Sequence, residues 1–164
     1  MILGMSAFTL VHVLLSLVGI FAGFVVAFGF LTSKPLNGWT AIFLGSTVLT
    51  SVTGFFFPIH GLTPGLVIGI LSLIALAIAI FARYQRHLAG GWRRSYVISS
   101  MVALYFNTFV LVVQLYEKVP ALHALAPTQS EAPFKITQLT VLVLFVVLTV
   151  LATVRFRDAH LRTA

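Results

Sequence analysis

His12, Asn107, Gln114 and Gln138 interrupt segments otherwise dominated by Leu, Val, Ile, Phe and Ala. Imidazole can donate, accept, ligate a metal or carry a proton, and an ionisable group inside an apolar segment marks a functional candidate. The amides each offer two donors and an acceptor, and an amide left unpaired in hydrocarbon is costly, so each must find a partner. Ser16 lies one helical turn from His12, Glu117 follows Gln114 by three residues, and His60 sits in a tight turn between Pro58 and Gly61. The candidate ligand site is therefore His12, Ser16, His60, Asn107, Gln114, Glu117 and Gln138. Amide and imidazole groups there would hydrogen-bond the polar head of a small lipophilic molecule such as a quinone, while Phe and Leu surround its tail.

Other chemistries fit less well. Bis-histidine ligation of a b-type haem needs imidazoles on facing helices. Only His12 lies well within an apolar segment, with His60 at a loop edge and His87 and His160 on the other side, so haem is not indicated. His12, His60, Glu117, His123 and Glu131 are suitable metal-ligand types, but no H-x-x-x-H spacing joins them, and no metal site is assigned. No cysteine is present, which removes thiolate chemistry and disulfides. The sequence contains no G-x-S-x-G elbow, no H-E-x-x-H and no Gly-rich phosphate loop, and Ser16 beside His12 reads as local hydrogen bonding. No catalytic residue is assigned, and a hydrolytic enzyme is not expected.

The elements that must hold these residues are membrane helices. In 164 residues, 60% are hydrophobic and 8% charged, more apolar surface than one soluble core of this size can hide. At roughly 20 apolar residues per crossing, spans are expected at about residues 7–31, 38–57, 65–82, 95–116 and 136–154. The expected fold is all-α, a single-domain polytopic bundle with five transmembrane helices. The net charge of +7 reflects topology and lipid-headgroup contact rather than nucleic acid. Arg83, Arg86, Arg93 and Arg94 follow the third span, and Arg155, Arg157 and Arg162 follow the fifth. Both clusters face the cytoplasm by the positive-inside rule, with Lys34 on the same side, which puts the amino terminus outside and the carboxyl terminus inside.

Within lipid, helices meet through small and polar residues. Inward stripes are expected at His12, Ser16, Gly19, Gly23 and Phe30; at Thr40, Thr47, Thr50, Ser51 and Gly54; and at Gly65, Gly69 and Ser72. In span four Tyr96, Ser100, Ala103, Asn107, Val110, Gln114 and Glu117 share a face, with Leu104 turned to lipid. In span five Gln138, Leu142, Phe145, Thr149 and Thr153 do so. Counting from the outer ends at about 1.5 Å per residue brings His12, Gln114 and Gln138 to similar depth, with Asn107 near mid-membrane. Phe55 to Phe57 read as interfacial anchors, and the loop holding His123, Gln129 and Glu131 as a lid over the site.

The stretches "SVTGFFFP", "LAGGWRRSYV", "ALYFNTFVLVVQ" and "LAPTQSEAPF" resemble a group of small, functionally uncharacterised bacterial inner-membrane proteins, over most of His12 to Arg157. The resemblance implies a bacterial cytoplasmic-membrane setting and no activity or site. Besides lipophile binding, two readings stay open: a transporter or proton-conducting channel in which Asn107, Thr47, Ser51 and Ser100 extend the outer cavity inward, and a structural subunit of a larger membrane complex or homo-oligomer.

Overall fold

A computed structural model of the protein describes residues 6–57 and 63–157, and every regular element within them is helical. Helix α1 (Ala7–Leu31) begins where the Ser6 hydroxyl accepts a hydrogen bond from the Thr9 N–H at 3.1 Å, satisfying one of the helix's orphan donors. There follow α2 (Asn37–Gly54), α3 (Pro64–Ile80) with a π-helical turn over Phe81–Gln85, α4 (Trp92–Lys118), the short α5 (Pro120–Leu125) and α6 (Ala132–Arg155). Pro64, Pro120 and Pro133 lie in the first turns of α3, α5 and α6, where a missing N–H loses nothing. His60 lies outside the described residues.

Four helices, α1, Pro64–Gln85, α4 and α6, are long and apolar enough to cross a membrane, the architecture of a multi-pass membrane protein. α2 is not among them. Its 18 residues include Thr40, Ser46, Thr47, Thr50, Ser51 and Thr53, whose hydroxyls dilute its hydropathy. It nonetheless runs the height of the bundle, since Asn37 at one end accepts from Arg83 and Thr53 at the other meets His12.

α4 is the hub, touching every other helix, while α1 lies against α2 and α3 against α4. The interior is layered. At the end bearing the arginine turn, Tyr96 is fully buried, its ring edge-on to Phe30 with centroids 5.4 Å apart. Its hydroxyl accepts from Arg83 Nη1 at 3.2 Å and donates to Thr40 Oγ1 at 3.4 Å. Beside it the Ser33 hydroxyl and the Arg157 backbone bond reciprocally, at 2.9 and 2.8 Å, tying the α1–α2 turn to the end of α6. The next layer is apolar: Phe43 and Leu104, each 1% exposed, close on Gly23. Beyond that come Gly19, Thr47 and Asn107. A Cβ at Gly19 would stand 3.0 Å from Thr47 Oγ1 and 3.3 Å from Asn107 Nδ2, so glycine there lets α1 approach the polar layer.

Two expected faces are corrected. Leu104, expected to meet lipid, is core, because α4 is enclosed on several sides rather than one. On α6 the buried seam is Gln138, Val141, Phe145, Leu148 and Ala152, with Val141 and Leu148 partly covered, whereas Leu142 is 40% exposed. The seam follows steps of three and four set by apolar packing. Thr149 and Thr153 need no interior partner, since their hydroxyls donate to the Phe145 and Thr149 carbonyls at 2.6 and 2.7 Å.

The loop before α6 is held by Glu131, which accepts from the Thr128 hydroxyl at 2.7 Å and the Thr128 and Ser130 N–H groups at 3.2 and 3.0 Å. The Thr128 hydroxyl, then these backbone donors, keep its carboxyl below the usual range. The folded value being the lower, this clasp is fully present above the unfolded pKa and is lost as pH falls through the folded one. The protection factors of the Thr128 and Ser130 amides, corrected for intrinsic exchange, should therefore fall in acid, and Glu131→Gln should remove that acid transition.

Candidate functional site

At the end of the bundle away from the arginine turn, α1 to α4 part around a cavity of about 260 Å³. α1 contributes His12. Its Nδ1 lies 2.8 Å from Thr53 Oγ1, and its ring stands edge-on to Phe57 with centroids 5.0 Å apart. α4 contributes Phe106, Asn107 and Val110. Asn107 Nδ2 donates to Thr47 Oγ1 at 3.5 Å, a long and therefore weak bond. From α2, Thr50 presents a buried hydroxyl without a protein partner among the described residues, and Ser51 donates to Ser72 Oγ of α3 at 3.3 Å. Phe55 and Phe57 add aromatic walls, and on α3 Gly69 makes room for Phe55, whose Cζ would lie 3.3 Å from a Cβ there. The cavity reaches down to Asn107, and the Phe43–Leu104 layer lies below that residue toward the arginine end.

Of the described candidate residues, His12 and Asn107 come together here; Ser16, Gln114, Glu117 and Gln138 do not. Ser16 donates to the Val13 carbonyl of its own helix at 2.8 Å, the local bond its spacing suggested. Gln114 lies on the same α4 face as Asn107 but is exposed and beyond the rim, its amide donating to Glu117 Oε2 at 3.4 Å. Glu117 also pairs with Lys118 at 3.3 Å, in water-facing positions where such pairs contribute little. Gln138 is buried against another face of α4, donating to the Phe109 carbonyl at 3.2 Å. Equal depth placed these groups on one level without placing them on one side of α4.

The expected lid also packs elsewhere. Ala126 is enclosed with Val112 and Tyr116 of α4, and Leu122 and Phe134 pack on that cluster, none of them lining the cavity. Thr50 was expected on an inward face but not as part of the site, and the signals missed outright were Thr53 and the rings of Phe55 and Phe57. Thr53 is recognisable in principle as the hydroxyl one turn from the Thr50 stripe, at the level where an antiparallel α1 brings His12.

Gln138 offers a direct check. Its Oε1 is buried without a partner among the described residues, so part of the benefit of its amide bond is offset. Gln138→Leu should change stability in detergent by no more than about 1 kcal/mol, and in either direction. A loss above roughly 2 kcal/mol in chemical denaturation would give this amide a larger role.

Fold and cavity together define a multi-pass helical membrane protein with a polar-floored pocket inside its bundle. Compared with protein-family models, curated proteins and solved structures, the chain matches none.

Proposed function

We propose that the protein binds a small lipophilic molecule with a hydrogen-bonding head, quinone-like in size and polarity, in the cavity between α1 and α4. The observation that carries this reading is the cavity itself, where His12, Thr50 and Asn107 stand among Phe55, Phe57 and Phe106. A largely apolar concavity with a few convergent polar groups is the usual form of a small-molecule site. The reading includes five membrane crossings, with α2 as the fifth, the amino terminus outside and the arginine turn in the cytoplasm of a bacterium. Its support is the full-height course of α2 and the grouping of Lys34, Arg83, Arg86, Arg93, Arg94, Arg155 and Arg157 toward one end. The apolar layer of Phe43, Leu104 and Gly23 favours a blind pocket over a transport path.

Mass spectrometry of lipophiles extracted from the purified protein tests the reading. Parent protein should carry an enriched species that His12→Ala, Thr50→Val protein lacks, with both eluting identically from size exclusion. Equal extracts from the two would refute it.

A further inference from the structure

The hydrogen-bond pattern around His12 fixes more than its position. Thr53 Oγ1 lies 2.7 Å from the Leu49 carbonyl and 3.2 Å from that of Thr50, and carbonyl oxygens can only accept. Two carbonyls in reach place the single hydroxyl hydrogen of Thr53 on its own helix, and in that arrangement the 2.8 Å contact with His12 has Nδ1 as the donor. A neutral imidazole has one N–H, so Nε2 carries the lone pair, and it has no partner among the described residues. Ser51 behaves likewise: its hydrogen goes to Ser72 Oγ at 3.3 Å, leaving its oxygen as an acceptor at the cavity wall. Thr50 and Asn107 can adapt, but the fixed groups are acceptors.

We propose that the cavity selects a head group that donates hydrogen bonds, a hydroquinone or phenol rather than the corresponding quinone. This rests on the lipophile-binding reading above. A quinone carbonyl set against Nε2 brings two lone pairs together and leaves both unsatisfied, whereas a phenolic O–H satisfies the imidazole and excludes water from it. Thr53 is a positioning residue: it acts on the ligand only through the proton it holds on Nδ1.

The test compares three probes in detergent by calorimetry: a short-chain 1,4-benzoquinone, its hydroquinone held reduced without oxygen, and the hydroquinone dimethyl ether. The expected order is hydroquinone at least about tenfold tighter than either other probe. Thr53→Val, which removes the acceptor from Nδ1 and lets the proton move to Nε2, should bring hydroquinone and quinone within about threefold of each other, and Thr53→Ser should restore the discrimination. Nitrogen-15 shifts of His12 give a readout independent of any ligand, with Nε2 at the unprotonated position in the parent and in Thr53→Ser. Quinone binding as tight as hydroquinone, or a protonated Nε2 in the neutral ring, overturns the selectivity while leaving the pocket intact. Binding of none of the three overturns the pocket and the selectivity together.

Discussion

Gly23→Leu should abolish the folded bundle, the protein appearing as aggregate in detergent size exclusion, and Gly23→Ala should lower its unfolding midpoint. A Cβ on Gly23 would lie 2.4 Å from Leu104 Cδ1 and 2.9 and 3.0 Å from the ring of Phe43. The leucine methyl can rotate away, but the buried phenylalanine ring has no free space to enter. Overpacking of this kind costs about 1–3 kcal/mol, against which alanine recovers about 1 kcal/mol of helix propensity. Three further carbons at the same point force α1 away from α2 and α4, which loses the contacts that build the core. Gly45→Ala is the matching control. It lies in the same pair of helices, a Cβ there meets nothing within 4 Å, and it should be neutral or slightly stabilising.

Tyr96→Ala is the second large effect, about 3–5 kcal/mol of stability in denaturant unfolding from mixed micelles. Tyr96 is fully buried, and its ring packs against Phe30 and lies 6.3 Å from Phe156. Its removal empties the layer where α1, α4 and the end of α6 meet. Tyr96→Phe separates packing from polarity. It keeps the ring but strips Arg83 Nη1 of its acceptor and Thr40 of its donor, for an expected cost of about 1–3 kcal/mol. Guanidinium groups are weakly hydrated and prefer planar partners, and Arg83 also stands 5.2 Å from the centroid of the Tyr96 ring. If Tyr96→Phe costs as much as Tyr96→Ala, the hydroxyl network rather than the ring holds that end together.

How much of this was legible can be judged residue by residue. The small-residue stripe of α1 was readable, because only glycine lets helix backbones close to the distance found at Gly19 and Gly23. So was the inward row Thr40, Thr47, Thr50 and Ser51, which lipid would penalise on an outer face. His12 and Asn107 were identified by the same penalty. Gln114 and Gln138 were not distinguished from them, since the cost of an unpaired amide requires only that some partner exist. Glu117 and the Phe109 carbonyl met that requirement outside the cavity. On α6 the expected stripe shares Gln138 and Phe145 with the buried seam but has Leu142, Thr149 and Thr153 where the seam has Val141, Leu148 and Ala152, because a hydroxyl marks an interior face in sequence although a helical threonine can satisfy itself on the preceding turn. The Phe55 to Phe57 run was read as an anchor, yet only Phe56, at 72% exposed, projects outward; Phe55 and Phe57 line the pocket, a partition that depends on where α3 lies.

The sealed layer formed by Phe43 and Leu104 against Gly23 turns the cavity into a cul-de-sac. If the cavity binds a lipophile as proposed, whatever enters beside His12 would depart by the same doorway, and occupancy would follow the pool of molecules on that leaflet alone. On the proposed reading, such a pocket would sample, store or present a molecule without opening a path for ions.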